Sequence, residues 1–237
     1  MKFRIHASLG LAVWAALIAL PQISVAGPPL ICHAFDIGQA KSLPWSGNKW
    51  NLTGNEHYDI FHLLDDTMAL LAPGTPVLVR METLRRATLY AQQDPLVAKQ
   101  LYMRLRSRAL NATGKGPEDA LAQFDYGYLV ETFKQARWTP GKKYAEGGDL
   151  SALVTNVDGY STIENAIKLR GDDAQMEFAA ALITLGGSSY PGHQEHLQRA
   201  LDGAKTDPLL ARNLATHFIG ENTETMAEIF KKRQAEN

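Results

Sequence analysis

Two stretches decide the fold. One is Glu82–Leu101, ETLRRATLYAQQDPLVAKQL; the other is Glu195–Leu214, EHLQRALDGAKTDPLLARNL. They lie 113 residues apart, align without a gap, and agree at ten of twenty positions. The identities include Glu82/Glu195, Arg86/Arg199, Ala87/Ala200, Asp94/Asp207, Pro95/Pro208 and Leu101/Leu214. A fainter copy precedes the second by 34 residues, with Ala166-Ile167 matching Ala200-Leu201 and Asp173 matching Asp207. In all three, an alanine stands seven residues before an aspartate. Such internal self-similarity is the mark of a repeat architecture. The small alanine lets two helices approach, and the aspartate starts the second helix of a pair. One such pair cannot bury its apolar face alone, so pairs stack.

The flanking sequence carries the same signals. Thr75-Pro76, Asp94-Pro95 and Asp207-Pro208 each set a capping side chain before a proline, and Ser161 with Glu164 has the spacing of a capping box. Apolar residues recur at three and four in Leu101, Tyr102, Leu105 and in Leu121, Phe124, Tyr128. About eight or nine helices are predicted after Asp59, with no strand. Val77-Leu78-Val79 reads as helix because Met81, Leu84 and Thr88 continue its period. The expected fold is all-α: stacked antiparallel helix pairs over 59–237, with the irregular segment 27–58 packed on them as a cap.

The 34-residue spacing, with Ala174, Phe178 and Ala181-Leu182, resembles the tetratricopeptide repeat. The resemblance covers about Ser161–Phe218 and a second patch at Met81–Leu105. It implies an α-solenoid whose concave face takes a protein or peptide. The first-helix positions of that family are occupied differently here, by Asp158, Ser161, Thr162 and Asn165.

The N-terminus reads as a signal peptide over 1–26. Lys2 and Arg4 precede an apolar run from Leu9 to Leu20, and Ser24-Val25-Ala26 supplies small residues for cleavage. The run is short of the roughly 20 residues of a membrane span. The chain is therefore expected to be exported, periplasmic or secreted, with no span after cleavage. GPPLICHAFDIGQAKSLPW, Gly27–Trp45, resembles the start of a group of uncharacterised exported bacterial proteins, which implies no activity. The 24 basic and 25 acidic residues leave a net charge of −1, no footprint for nucleic acid.

An exported chain with one cysteine forms no internal disulfide. Cys32 is a candidate for a disulfide-linked homodimer. Cys32, His33, His57 and His62 are candidate metal ligands by donor type, the basis of an alternative reading as an exported metal- or haem-binding protein or enzyme. Haem attachment would need a second cysteine where Pro29 stands. His57 and His62, five apart, fall about 140° apart on a helix. His193-Gln-Glu-His196 is one residue short of a zinc-protease pattern and reads as a solvated helix start. No phosphate loop, nucleophile elbow or dinucleotide fingerprint occurs, and no cofactor is expected. The expectation is a non-catalytic binding protein, with Arg85, Tyr90, Tyr128 and His193 as candidate partner-binding residues. Arg86 and Arg199 are candidates for pairing with acids between repeats, and Trp45, Trp50 and Cys32 for buried anchors.

Overall fold

Three aspartates set the framework. In a computed structural model, which describes residues 28–46, 52, 54–112, 114, 116–138, 149–171, 173–185 and 192–218, each accepts hydrogen bonds from the first turn of the helix that follows it. Asp94 accepts from the Leu96 and Val97 amides, Asp173 from Gln175 and Met176, and Asp207 from Leu209 and Leu210. These amides have no partner within the helix, so each aspartate fixes a helix start. The alanines seven residues earlier, Ala87, Ala166 and Ala200, are all buried. The same local signature, a buried alanine and a capping aspartate, thus recurs at three helix junctions.

The described residues hold eight α-helices and no strand: α1 Leu63–Leu70, α2 Val77–Ala91, α3 Pro95–Asn111, α4 Pro117–Ala136, α5 Gly159–Arg170, α6 Ala174–Thr184, α7 His193–Ala204 and α8 Pro208–Phe218. Short 3-10 turns cover Ile60–His62 and Leu150–Val154. None of the described helices is long and apolar enough to cross a membrane. The signal segment expected at 1–26, and Trp50, lie outside the described residues.

Two expected helix starts differ. Thr75 does not cap α2: Pro76 is the cap residue, with no side-chain bond, and the Thr75 carbonyl instead accepts from Arg80 Nε at 2.9 Å. Ser161 and Glu164 do not make the capping box of α5. Asp158 caps it, accepting from the Ser161 amide and hydroxyl, because the helix begins at Gly159.

Three helices are central. Every residue of α2 but Arg86 is buried, as are Met176–Thr184 of α6 and most of α4. The α4 helix packs on α2, α3, α5 and α6, and α2 also meets α6. Burial on all sides leaves no room for unpaired charge, which explains the buried ion pairs described below. Where α4 crosses α5 the backbones nearly touch. A Cβ on Gly127 would lie 2.7 Å from the Gly159 carbonyl, and one on Gly159 would lie 2.5 Å from that of Gly127. Only glycine fits that crossing.

The segment from Pro28 to Ser46 has no helix or strand, yet Leu30, Ile31, Cys32, Phe35 and Leu43 are buried in the core. It is a strap. The Leu30 amide donates to Gln135 of α4, the Phe35 amide to Glu82 of α2, and the Asp36 amide to Asn213 of α8. The strap therefore ties the first repeat copy to the last.

Candidate functional site

Cys32 is 3% exposed, and burial pushes its thiol pKa up against the opposing pull of Arg85. A thiol held protonated is a poor nucleophile and metal ligand. His33 is half-buried, its ring edge-on to that of His217 at 5.7 Å. His57 and His62 lie on the surface before α1, beside Glu56 at 3.6 Å and Asp59 at 3.7 Å. Among the described residues no three His, Cys, Asp or Glu side chains converge as a metal set. The four candidate ligands are thus not gathered at one point. A buried Cys32 is also out of reach of a second chain's thiol, so the disulfide-linked homodimer has no support. As a buried anchor, Cys32 sits as expected; Trp45 is only partly buried.

Three of the four candidate partner-binding residues are interior. Arg85, Tyr90 and Tyr128 are wholly buried, because they lie on the enclosed stretches of α2 and α4, the central helices. Arg85 holds Glu82, donates to the Ile31 carbonyl at 3.1 Å, and lies 4.9 Å over the Trp45 ring. The Tyr90 hydroxyl donates to the Pro44 carbonyl and accepts from the Asn55 amide. Burial drives the Tyr128 hydroxyl pKa well up, and that oxygen has no hydrogen-bond partner among the described residues. His193 is half-buried, with Nδ1 2.9 Å from the Thr184 hydroxyl. The repeated arginines pair first within their own copies. Arg86 meets Glu82 at 2.6 Å and Arg199 meets Glu195 at 2.5 Å, each at i, i+4. Arg199 alone adds a bond across units, to Glu177 of α6 at 3.0 Å.

A polar cleft of about 380 Å³ opens between α5, α6 and α7, bordered by Glu164, Lys168, Glu195 and Arg199. In its wall His196 Nδ1 lies 2.5 Å from Glu177 Oε2, and Nε2 lies 2.7 Å from the Tyr160 hydroxyl. A carboxylate, an imidazole and a hydroxyl in series is the arrangement of an activated nucleophile. The chemistry here points elsewhere. Burial, then Glu164, pushes the Tyr160 pKa up to about 12, so the hydroxyl keeps its proton. Both imidazole nitrogens are taken up, Nδ1 by Glu177 and Nε2 by Tyr160. The series holds α5, α6 and α7 together. His196, expected on a solvated helix start, is buried. Sequence offered no signal for this, since its partners come from two other helices.

The outer face of α3 is different. Leu96, Met103 and Leu110 are 69%, 48% and 68% exposed, and they recur every seventh residue. Seven residues are almost two turns, so the three form one line about 21 Å long. They stand opposite the buried Val97, Ala98, Leu101 and Leu105. Isolated exposed leucines are ordinary; here three apolar side chains are aligned on one face of one helix. Lys99 and Arg106 edge the line on one side and Arg104 on the other, all exposed. At its N-terminal end a cavity of about 290 Å³ opens, lined by Pro95, Leu96, Leu150, Ala152 and Leu153, with Lys99 and Asp149 beside it. The sequence held this signal. Once Leu101 and Leu105 define the inner face, the leucines at 96 and 110 fall outside it. No protein-family model, curated protein or solved structure matches the chain.

Proposed function

We propose that the chain is an exported, non-catalytic helical-repeat protein that binds a protein partner, and that the partner docks on the outer face of α3. One observation carries the reading: the exposed line Leu96–Met103–Leu110 on a helix whose opposite face is already buried in the core. The resemblance to tetratricopeptide repeats, and the stacked pairs it implies, support a binding role. In this reading the binding surface lies on an outer helix, not on a concave face built from α2 and α4.

A photo-crosslinking amino acid at Met103, with a control at exposed Asn165 of α5, tests it in cells that make the protein. A discrete adduct from position 103, absent from 165 and lost in the Leu96→Ser/Leu110→Ser variant, is expected. No adduct at 103, or equal adducts at both positions, overturns the reading.

A further inference from the structure

Resting on that reading, we infer that the partner of the α3 face is an acidic amphipathic helix, with apolar residues at heptad spacing and one bulky apolar side chain seated in the cavity beside Leu96. Three features on the same face lead to it.

The first is charge. Helix α3 carries Lys99, Arg104, Arg106 and Arg108 and no acid from Pro95 to Asn111. Arg108 turns inward to Asp125 at 3.2 Å. Arg104 has Glu118 and Asp119 beside it across a second cavity. Arg106 reaches the Tyr126 hydroxyl of α4, a partner without charge, so the Lys99–Arg106 edge still sets cations next to the apolar line, and a docking surface of that sign selects carboxylates.

The second is spacing. Residues seven apart stay in register along a second helix packed side by side, the geometry of a coiled-coil seam. An extended strand, with a side-chain period of two, would not match it. Helix-in-groove recognition uses such anchors at one and two turns.

The third is shape. The cavity next to Leu96 is apolar and concave, bounded by Leu150 and Leu153 of the 3-10 turn. Its acid, Asp149, accepts from the Ser151 amide and hydroxyl, which caps that turn. The cavity has the size for a leucine or phenylalanine side chain. These features also weigh against other occupants. A second copy of α3 would bring like charges together. A bilayer surface is flat and does not fill a recess, and the line lacks the aromatic residues that commonly anchor interfacial helices.

The test uses fluorescence anisotropy with the full chain and two labelled synthetic helices of about three heptads, leucine at the seam positions and either glutamate or lysine flanking them. The glutamate helix should bind at least about tenfold tighter than the lysine helix, with affinity falling as salt rises. Binding should be lost in the Leu96→Ser/Leu110→Ser variant, whose sites are exposed and whose helix content is checked by circular dichroism. The Lys99→Glu/Arg106→Glu variant should reverse the preference. Flotation with vesicles of phosphatidylcholine and phosphatidylglycerol is run beside it. Equal binding of both helices, binding indifferent to the leucines, or vesicle binding that depends on them overturns the inference. If the glutamate helix fails while the crosslink at Met103 forms, the acidic-helix inference falls and the docking face stands. Loss of both results removes both.

Discussion

Arg85 grips Glu82 with two parallel hydrogen bonds, Nε to Oε2 at 2.7 Å and Nη2 to Oε1 at 2.9 Å, and both side chains are wholly buried. Arg86 adds a third bond at 2.6 Å and the Phe35 amide a fourth at 3.0 Å. Every lone pair that the carboxylate turns to the protein is thus occupied, and the strap is anchored by it.

Removing one partner leaves the other charged and buried, which costs about 3–5 kcal/mol. Glu82→Ala is expected to destabilise by that amount in urea unfolding, and to speed proteolytic cleavage within 28–46. The Glu82→Met/Arg85→Met double variant should lose less than the sum of the two single variants. Strictly additive losses would show that the pair is not coupled. Burial pushes the Glu82 pKa up, but Arg85 and Arg86 together outweigh it and hold the carboxyl below its ordinary value of 4.5. Its contribution is therefore present above about pH 4.5 and lost as pH falls below that, through the depressed folded-state pKa.

The buried thiol of Cys32 gives a second expectation. A raised pKa and burial both slow thiolate chemistry. A disulfide-exchange reagent such as Ellman's should react with the native chain at least about tenfold more slowly than with the chain in denaturant. The purified protein should run as a monomer on a non-reducing gel. Equal rates, or a dimer band removed by reductant, would show an accessible thiol.

Much of the fold was legible in the sequence because its signals were local. The aspartates at 94, 173 and 207 need only the first turn of their own helix, so spacing alone reveals them. Ser161 misled because Asp158, three residues earlier, takes the Ser161 amide that Glu164 would accept in a capping box, once the helix starts at Gly159. The burial of α2 was not legible. Arg80, Glu82, Arg85 and Arg86 make it look like a solvated helix, and only α1, α4, α6 and the strap closing around it turn those charges inward. For the same reason the partner-binding candidates on α2 and α4 went to the interior. The line on α3 was readable in principle, but it emerges only after the inner face is known.

Glu177, His196 and Tyr160 form a chain across three helices, and its members should be energetically coupled. His196→Ala removes a partner from both neighbours and is expected to cost about 2–4 kcal/mol. Tyr160→Phe keeps the ring and loses the hydroxyl's bonds to His196 and Glu164, so about 1–3 kcal/mol is expected. A double-mutant cycle in urea should give an interaction energy of about 0.5–3 kcal/mol. Zero coupling, with near-neutral single variants, would mean that the cleft wall is not the staple described.

Asp125 makes the opposite case to Glu82. Its Oδ2 accepts from Arg80 at 2.6 Å and Arg108 at 3.2 Å, but Oδ1 is buried without a partner among the described residues. Burial therefore outweighs both guanidiniums and lifts the carboxyl from 3.8 to about 6. Arg80 tolerates loss of its counter-charge because its remaining protons go to the carbonyls of Leu71, Ala72 and Thr75. Between about pH 4 and pH 6 the folded chain then holds a proton that the unfolded chain has released, so this group adds stability as pH falls through that window. Asp125→Asn cannot do so. The stability gap between wild type and Asp125→Asn should therefore widen in favour of wild type from pH 7 to pH 4.5, read from urea midpoints at each pH. A gap that narrows on acidification would place the Asp125 pKa below its ordinary value, with the two arginines dominating burial as they do at Glu82.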